Sequence, residues 1–427
     1  MSVRFKTLAT FSLLAAVPLG WAAAQSVDPL KPLPPTAPPQ TTPQTPVPPE
    51  VQVPPPVVLP PAIWNVPDAQ QLLAYIQQVG ADGLNPANYD PAGLERAIRS
   101  GMPDAMSKAA NDRFNWLSSD LALGYVPRKE RTQWFVKDGD LPADRQDSLL
   151  RAALAQHSIP ATLNSVLPSH PQYAALKNAL VQTPKTETAK LSRIRLNMER
   201  WRWLPRDLGN RYVIVNVPAY HVALIENGAT RWKQRAVAGK VSTPTPQLSA
   251  TATGVMLNPW WEVPPSIAHE VAGKGGFVAL KDAKGKVQRW RQPPGPSNAL
   301  GQAKFVMWNS QNIYLHDTNA RSRFNSEVRA FSHGCIRTQN IMDLATLLLG
   351  DDGGEWTPEK IQLTLASKKT VEAKFVRPLP VYIVYFSSAA LNDGTIRDYS
   401  DMYGRDPKVL ASLNAVRGTV NTQVASR

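Results

Sequence analysis

Apolar residues recur at helical intervals as far as Trp203 and alternate from Arg211 onward, so this chain must build two kinds of domain. Over residues 63–183 the pattern is helical. Asp68 reads as an N-cap with Gln71 three residues on. Leu72, Leu73, Ile76 and Val79 form one face, and Gly80 closes it. Asp90-Pro91 opens a second helix carrying Leu94, Ala97 and Ile98, with Gly101 past its end, and Phe114, Leu117 and Leu121 mark a third. Pro184–Lys190 reads as a polar linker, and Leu191, Ile194, Met198 and Trp201 share the face of a further helix. Arg211–Val217, Tyr220–Glu226 and Thr230–Val237 are strand-like, with Asn227-Gly228 as a hairpin signal. More strands are expected at Gly254–Asn258, Lys304–Met307, Ile313–His316 and Val381–Ser387, the last before a turn at Asn392-Asp393-Gly394. Ile341, Leu344, Ala345 and Leu348 form a helical stripe that Thr338 or Asn340 would cap. The fold class is α+β: a helical N-terminal domain (63–183), a mostly β domain (191–409) and a C-terminal tail (410–427).

Residues 1–24 read as an export signal: Arg4 and Lys6, an apolar run from Leu8 to Val17, then Ala22-Ala23-Ala24 as a cleavage site. Left uncleaved, the segment would anchor the chain to the inner membrane. No second hydrophobic span follows, so the expected location is the periplasm. The formal charge of +14 suits an anionic envelope partner, and the compartment argues against nucleic acid. Residues 25–62 are a proline-rich linker. Asp28–Pro61 holds 15 prolines in 34 residues, too many to pack a core. Sampling polyproline II at roughly 3.1 Å per residue, it would span on the order of 100 Å. The stretch 262–302, rich in Gly and Pro, reads as a flap over a site, with a plain surface excursion as the alternative that composition equally allows.

Cys335 is the only cysteine of the 427 residues. An exported chain with one thiol cannot form an internal disulfide, and the economical role for it is nucleophile. It sits in Ser332-His333-Gly334-Cys335-Ile336-Arg337, nineteen positions after His316 in Tyr314-Leu315-His316-Asp317-Thr318. A thiolate attacks only if a neighbour takes or stabilises its proton. His316, at the end of an expected strand, and His333 compete for that role. Asp317 points the other way along a strand, so backbone orientation of His316 is expected. Gly334 permits a tight turn, and N–H groups around Gly334 and Cys335 would face a developing oxyanion. Arg337 either grips a substrate carboxylate bidentately or is solvated. His157 and His170 are read as structural or solvated.

The pattern His316, fifteen residues, then Ser332 to Arg337 resembles the YkuD-type L,D-transpeptidase signature. Asn197–Pro205, Val215–Tyr220, Pro294–Gly301 and Tyr314–Thr318 resemble its large YcbB-type branch, as does Pro380–Asp406. The resemblance implies a helical scaffold domain before the catalytic one, with no metal and no cofactor. It implies Cys335 as nucleophile, His316 as proton donor and acceptor, Ser332, His333 and Gly334 as oxyanion or loop residues, and Tyr314, Trp308, Asn309 and Arg337 at the substrate. The implied partners are peptidoglycan stem peptides, with a tetrapeptide donor, and carbapenem-type inhibitors. The implied reaction is 3→3 cross-linking through a cysteine acyl-enzyme, with 262–302 capping the site. The peptidoglycan-binding module usual in this branch is missing, since only Val181–Lys190 lies in its place. Trimming by water or attachment of an envelope protein would use the same chemistry. A non-catalytic wall-binding scaffold is the alternative of another class. A papain-like peptidase is disfavoured, because there the cysteine precedes the histidine.

Overall fold

The computed structural model describes residues 60–137, 141–391 and 394–417. The signal segment, nearly all of the proline-rich linker, Asn392-Asp393 and residues 418–427 lie outside the described residues. Among the described residues, no helix is long and apolar enough to cross a membrane.

The N-terminal domain is built from α1 (Val66–Gln78), α2 (Pro91–Arg99), α3 (Pro103–Leu123), α4 (Ala143–Ala155), α5 (Ile159–Ser165) and α6 (Pro171–Gln182), with a short strand β1 (Trp134–Phe135) between α3 and α4. Leu72, Ile76, Leu94, Phe114, Leu117 and Leu121 are all fully buried and form the heart of one core. The cap of α1 is Asn65 rather than Asp68. The Asn65 side chain accepts from the Asp68 N–H at 2.8 Å, and Pro67 occupies the first turn, where a missing N–H costs nothing. Asp68 is instead buried, 2.9 Å from His157 Nδ1. His170 packs flat on Trp201 and bonds the Tyr212 hydroxyl at 2.9 Å, and burial lowers its pKa to about 4.

The expected linker is helical only in its last three residues, Thr188 to Lys190. Only residues 183–187 separate α6 from α7 (Thr188–Arg202), which leaves no room for an inserted module. Ile194, Met198 and Trp201 of α7 pack with Tyr173 and Leu176 of α6 and with Tyr382 and Val384 of the sheet domain. The other side of α7 is polar and equally buried. Glu199 and Arg202 pair at 3.0 Å with no side-chain exposure. Glu199 also accepts from the Val126 N–H at 2.8 Å and from Trp203 Nε1 at 3.0 Å, while Arg202 donates to the Tyr173 hydroxyl at 2.9 Å and to the Asp82 carbonyl. Arg200 reaches the sheet domain, 2.8 Å from Asp406.

The second domain contains β2 (Arg211–Asn216), β3 (His221–Glu226), β4 (Ala229–Gly239), β5 (Gln247–Leu257), β6 (Trp261–Glu262), α8 (Ala268–Val271), β7 (Val278–Lys281), β8 (Val287–Gln292), β9 (Ala303–Met307), β10 (Leu315–His316), β11 (Ala330–Ser332), β12 (Ile336–Thr338), α9 (Ile341–Asp351), α10 (Pro358–Ala366), β13 (Val371–Val384), β14 (Ser388–Ala390), β15 (Ile396–Asp398) and α11 (Asp406–Asn414). The main sheet runs β1-β5-β13-β2-β3-β4-β12-β10-β9, β11 adds to β4, and β9 also pairs with β5. That last pairing curls the sheet into a closed barrel, which removes the exposed edges. Alternate residues Val213, Val215, Val222, Leu224, Phe305, Leu315, Ile336 and Ile383 fill one core with Ile341, Leu344 and Leu348 of α9. The boundary expected at 409/410 falls inside α11. Beyond that helix, Arg417 pairs with Asp120 and lies over the Tyr89, Trp116 and Tyr125 rings, so the described end of the chain is docked rather than a tail.

Removing one partner of a buried ion pair strands the other charge, at a cost of about 3–5 kcal/mol. Arg202→Ala should therefore lower unfolding free energy by about that much in a denaturant titration, with both domains losing structure together. A loss below about 1 kcal/mol, as for an exposed pair, would show that α7 does not depend on it.

Candidate active site

The site is a consequence of strand alternation. β10 and β12 run parallel, with Leu315 opposite Ile336 and His316 opposite Arg337. Leu315 and Ile336 are fully buried in the barrel core. Their neighbours Tyr314, His316, Cys335 and Arg337 consequently face outward on the other side of the same two strands. On the far side of β10, His316 is paired with Lys304 of β9, and Lys304 Nζ lies 4.1 Å from the centre of the Tyr314 ring. The Tyr314 and His316 rings meet edge to face at 5.6 Å.

The cysteine loop is held by its own residues. Ser332 Oγ donates to the Cys335 carbonyl at 2.5 Å and accepts the Gly334 N–H at 3.1 Å. Gly334 adopts φ +116°, a conformation glycine tolerates, and an added Cβ would stand 3.1 Å from Ile313 Cδ1. Thr245 fastens the loop from outside: its hydroxyl donates to the Gly334 carbonyl at 2.7 Å and accepts the Gly239 N–H at 2.9 Å. The expected oxyanion donors need one correction. The Gly334 N–H is engaged by Ser332 Oγ, which leaves the Cys335 N–H as the loop's donor.

His316 is buried, and its Nδ1 lies 2.5 Å from the Asp317 carbonyl oxygen. A carbonyl only accepts, so Nδ1 carries the proton and Nε2 keeps its lone pair. Burial lowers the His316 pKa to about 3, and the nearby Arg337 and Lys304 push the same way. The imidazole is thus a neutral base. The Asp317 carboxylate does not touch it. That group instead accepts the Gln302 N–H at 3.0 Å and pairs with Arg321 at 3.1 Å. Burial raises the Cys335 pKa, while N–H and O–H donation from Tyr314 and the charges of Lys304 and Arg337 lower it. The thiol itself donates to the Asn312 carbonyl at 3.7 Å rather than to His316.

Other expected residues sit elsewhere. His333 points away from Cys335, 3.2 Å from Glu270 of α8 and 3.3 Å from Lys240 Nζ. Asn309 is buried and spent on its own loop, donating to the Ile313 carbonyl at 2.7 Å and accepting the Ile313 N–H at 3.1 Å, so it has no free group for a substrate. Trp308 is 85% exposed, just past the end of β9. Arg337 is half-buried, and among the described residues no carboxylate pairs with it.

The expected flap carries its own three-stranded sheet, β6-β8-β7, over a small core of Val263, Ile267 and Val271. It reaches the site at two points, Trp261 to the Tyr314 hydroxyl and Glu270 to His333. Lys304, Trp261 and Thr245 carry no local signal in the sequence: the pairing of β9 with β10 brings Lys304 to His316, and long-range hydrogen bonds bring Thr245 to Gly334 and Trp261 to Tyr314. Among the described residues, no group of His, Cys, Asp or Glu side chains is arranged to hold a metal ion.

Residues 210–378 match the L,D-transpeptidase catalytic domain, YkuD, and residues 61–180 match the Scaffold domain. Residues 210–378 are accordingly an L,D-transpeptidase catalytic domain of the YkuD type, standing behind a helical scaffold. A Haemophilus influenzae protein named "Putative L,D-transpeptidase" is 28% identical over 340 residues, covering 70% of this chain and 68% of its own. Among solved structures, an L,D-transpeptidase from Mycobacterium smegmatis is 15% identical, with a TM-score of 0.22, covering 41% of this chain and 58% of its own. The catalytic domain of the E. faecium L,D-transpeptidase, acylated by ertapenem, is 16% identical, with a TM-score of 0.18, covering 41% of this chain and 97% of its own. The chain thus spans little more than half of the M. smegmatis chain.

With a folded pKa of about 3 against an ordinary 6.5, His316 stays neutral down to the acid range. Its contribution to stability is present above pH 6.5 and is lost as pH falls toward 3, because the unfolded chain takes up the proton first. In an NMR titration the His316 ring signals should keep the neutral position from pH 8 to about 5. A midpoint near 6.5 would contradict the site as described.

Proposed function

We propose that this chain is a peptidoglycan L,D-transpeptidase of the periplasm that forms 3→3 cross-links through an acyl-enzyme on Cys335. The supporting observation is the single outward row of Tyr314, His316, Cys335 and Arg337, where a neutral imidazole shares one face with a guanidinium that has no carboxylate partner among the described residues.

In this reading a donor tetrapeptide enters with its third residue's carbonyl at Cys335. His316 Nε2 takes the thiol proton as Sγ attacks, a step that requires the thiol to turn from Asn312 toward the imidazole. Catalytic hydrogen bonds commonly tighten only when substrate is bound. The Cys335 N–H stabilises the oxyanion. The peptide C–N bond then breaks, and the proton passes from His316 to the departing D-Ala amine. The side-chain amine of a second stem attacks the thioester, gives up its proton through His316, and restores the thiol. Arg337 holds a donor carboxylate, consistent with its lack of any acidic partner among the described residues.

The test is product mass spectrometry with purified tetrapeptide muropeptides. Cross-linked dimers and free D-Ala should form with the native enzyme and vanish with Cys335→Ala, which should also lose covalent labelling by a carbapenem. Only hydrolysed tripeptide would mean that water is the acceptor, and a drug adduct on the alanine variant would remove Cys335 as nucleophile. Arg337→Lys, which keeps charge but loses the planar fork, should reduce donor kcat/KM by roughly tenfold, in line with a charged hydrogen bond, with little change in Tm. Normal kinetics with a sharp fall in Tm would make Arg337 a structural clamp.

A further inference from the structure

The outward row at the nucleophile continues across the sheet. β12 pairs with β4 so that Arg337 lies opposite Val237, and the pairing extends through the Gln339 N–H to the Arg235 carbonyl at 3.0 Å. β4 pairs in turn with β3, setting Arg235 opposite His221 and Lys233 opposite Ala223. His221, Lys233, Gln234, Arg235 and Gln339 line a shallow hollow of about 440 Å³. Gln339 stands four residues beyond Cys335, roughly 13 Å along an extended strand, which is also the reach of about four extended peptide residues.

The hollow is one-sided in charge. Lys233 and Arg235 are exposed, and among the described residues neither has a carboxylate partner. Among the described residues, the Arg235 guanidinium bonds through Nη1, to Asn325 Oδ1 at 3.1 Å and the Phe324 carbonyl at 3.3 Å. The charged groups that act on His221 are Lys233, Arg329 and Arg235, all cations. The other end of the same strands behaves differently. There Arg231 bonds Glu226 at 2.7 Å and Asp351 at 2.6 Å, and Arg211 bonds Asp351 at 2.5 Å. Arg211 and Arg231 are thus neutralised by carboxylates, whereas among the described residues Arg235 and Arg337 have none.

We propose that this hollow is an anion subsite that binds a carboxylate of an acidic peptide laid along β12, with Lys233 and Arg235 as its ligands and its other end at Cys335. The inference rests on the peptide-stem reading of the nucleophile. It adds which part of the substrate is recognised and by which residues.

The double variant Lys233→Ala/Arg235→Ala should raise KM for a soluble tetrapeptide muropeptide by roughly tenfold or more, the scale of charged hydrogen bonds, while kcat and the rate of carbapenem acylation at Cys335 stay as in the native enzyme. Lys233→Arg/Arg235→Lys should restore most of the affinity, since a carboxylate needs charge at both positions. Amidating the substrate's carboxylates should raise KM much more for the native enzyme than for the double alanine variant, which retains only the Arg337 contact. An unchanged KM in the alanine variant overturns the subsite, as does a variant that loses only binding to anionic phospholipid vesicles, which would make the patch a membrane contact. A native enzyme that is acylated by a carbapenem yet turns over no muropeptide overturns the stem reading and this subsite together.

Discussion

The ion pair between Glu199 and Arg202 has no side-chain exposure, and both domains are arranged around it. Burying two charges is expensive, and such a pair is sustained by the further hydrogen bonds its groups make, although Arg202 Nε is buried without a partner among the described residues. Here the partners come from α3's exit at Val126, from Tyr173 of α6 and from the turn at Asp82. The same helix sends Arg200 to Asp406 and Asn197 to Ser387 on the sheet side. One helix therefore ties the scaffold core to the barrel by directional bonds, where apolar packing alone would allow sliding. The docked C-terminal segment adds a second tie, through Arg417 and Asp120.

Barrel closure then fixes the chemistry. Because β10 and β12 are short and parallel, the residue type at each position decides whether it enters the core or faces the cleft. The cleft residues have opposed tendencies. Burial suppresses the charge on both Cys335 and His316, whereas Lys304 and Arg337 favour a thiolate and disfavour an imidazolium. The resting state this defines is a neutral thiol beside a neutral base. Such a thiol is shielded from oxidation, which acts on thiolates.

The parts legible in the sequence were those with local signals. The Asn227-Gly228 turn, the Asp90-Pro91 helix start and the apolar stripe of α9 depend on neighbouring residues, and the structure has each of them. The cysteine motif and His316 stood out for the same reason. What could not be read depends on contacts distant in the chain. β11 and β12 contain three residues each, too few to show alternation, and Lys304 joins the site only through the pairing of β9 with β10. Asn309 was misplaced because its position in the chain, close to Tyr314, says nothing of its bonds back to the Ile313 backbone. Asp68 was mistaken for a cap because an aspartate before an apolar stripe is the commoner cap signal, and its distant partner His157 is invisible locally.

The central claim is that the lone thiol, on the same face as a neutral imidazole, carries the substrate as a covalent intermediate. It is tested most directly by acid-quenching the enzyme during turnover of a tetrapeptide muropeptide and locating any adduct by tandem mass spectrometry. A tripeptide-derived acyl group on the peptide containing Cys335, formed and consumed at rates matching turnover, is the expected result. Turnover with no such adduct, or with the acyl group on another residue, would contradict it.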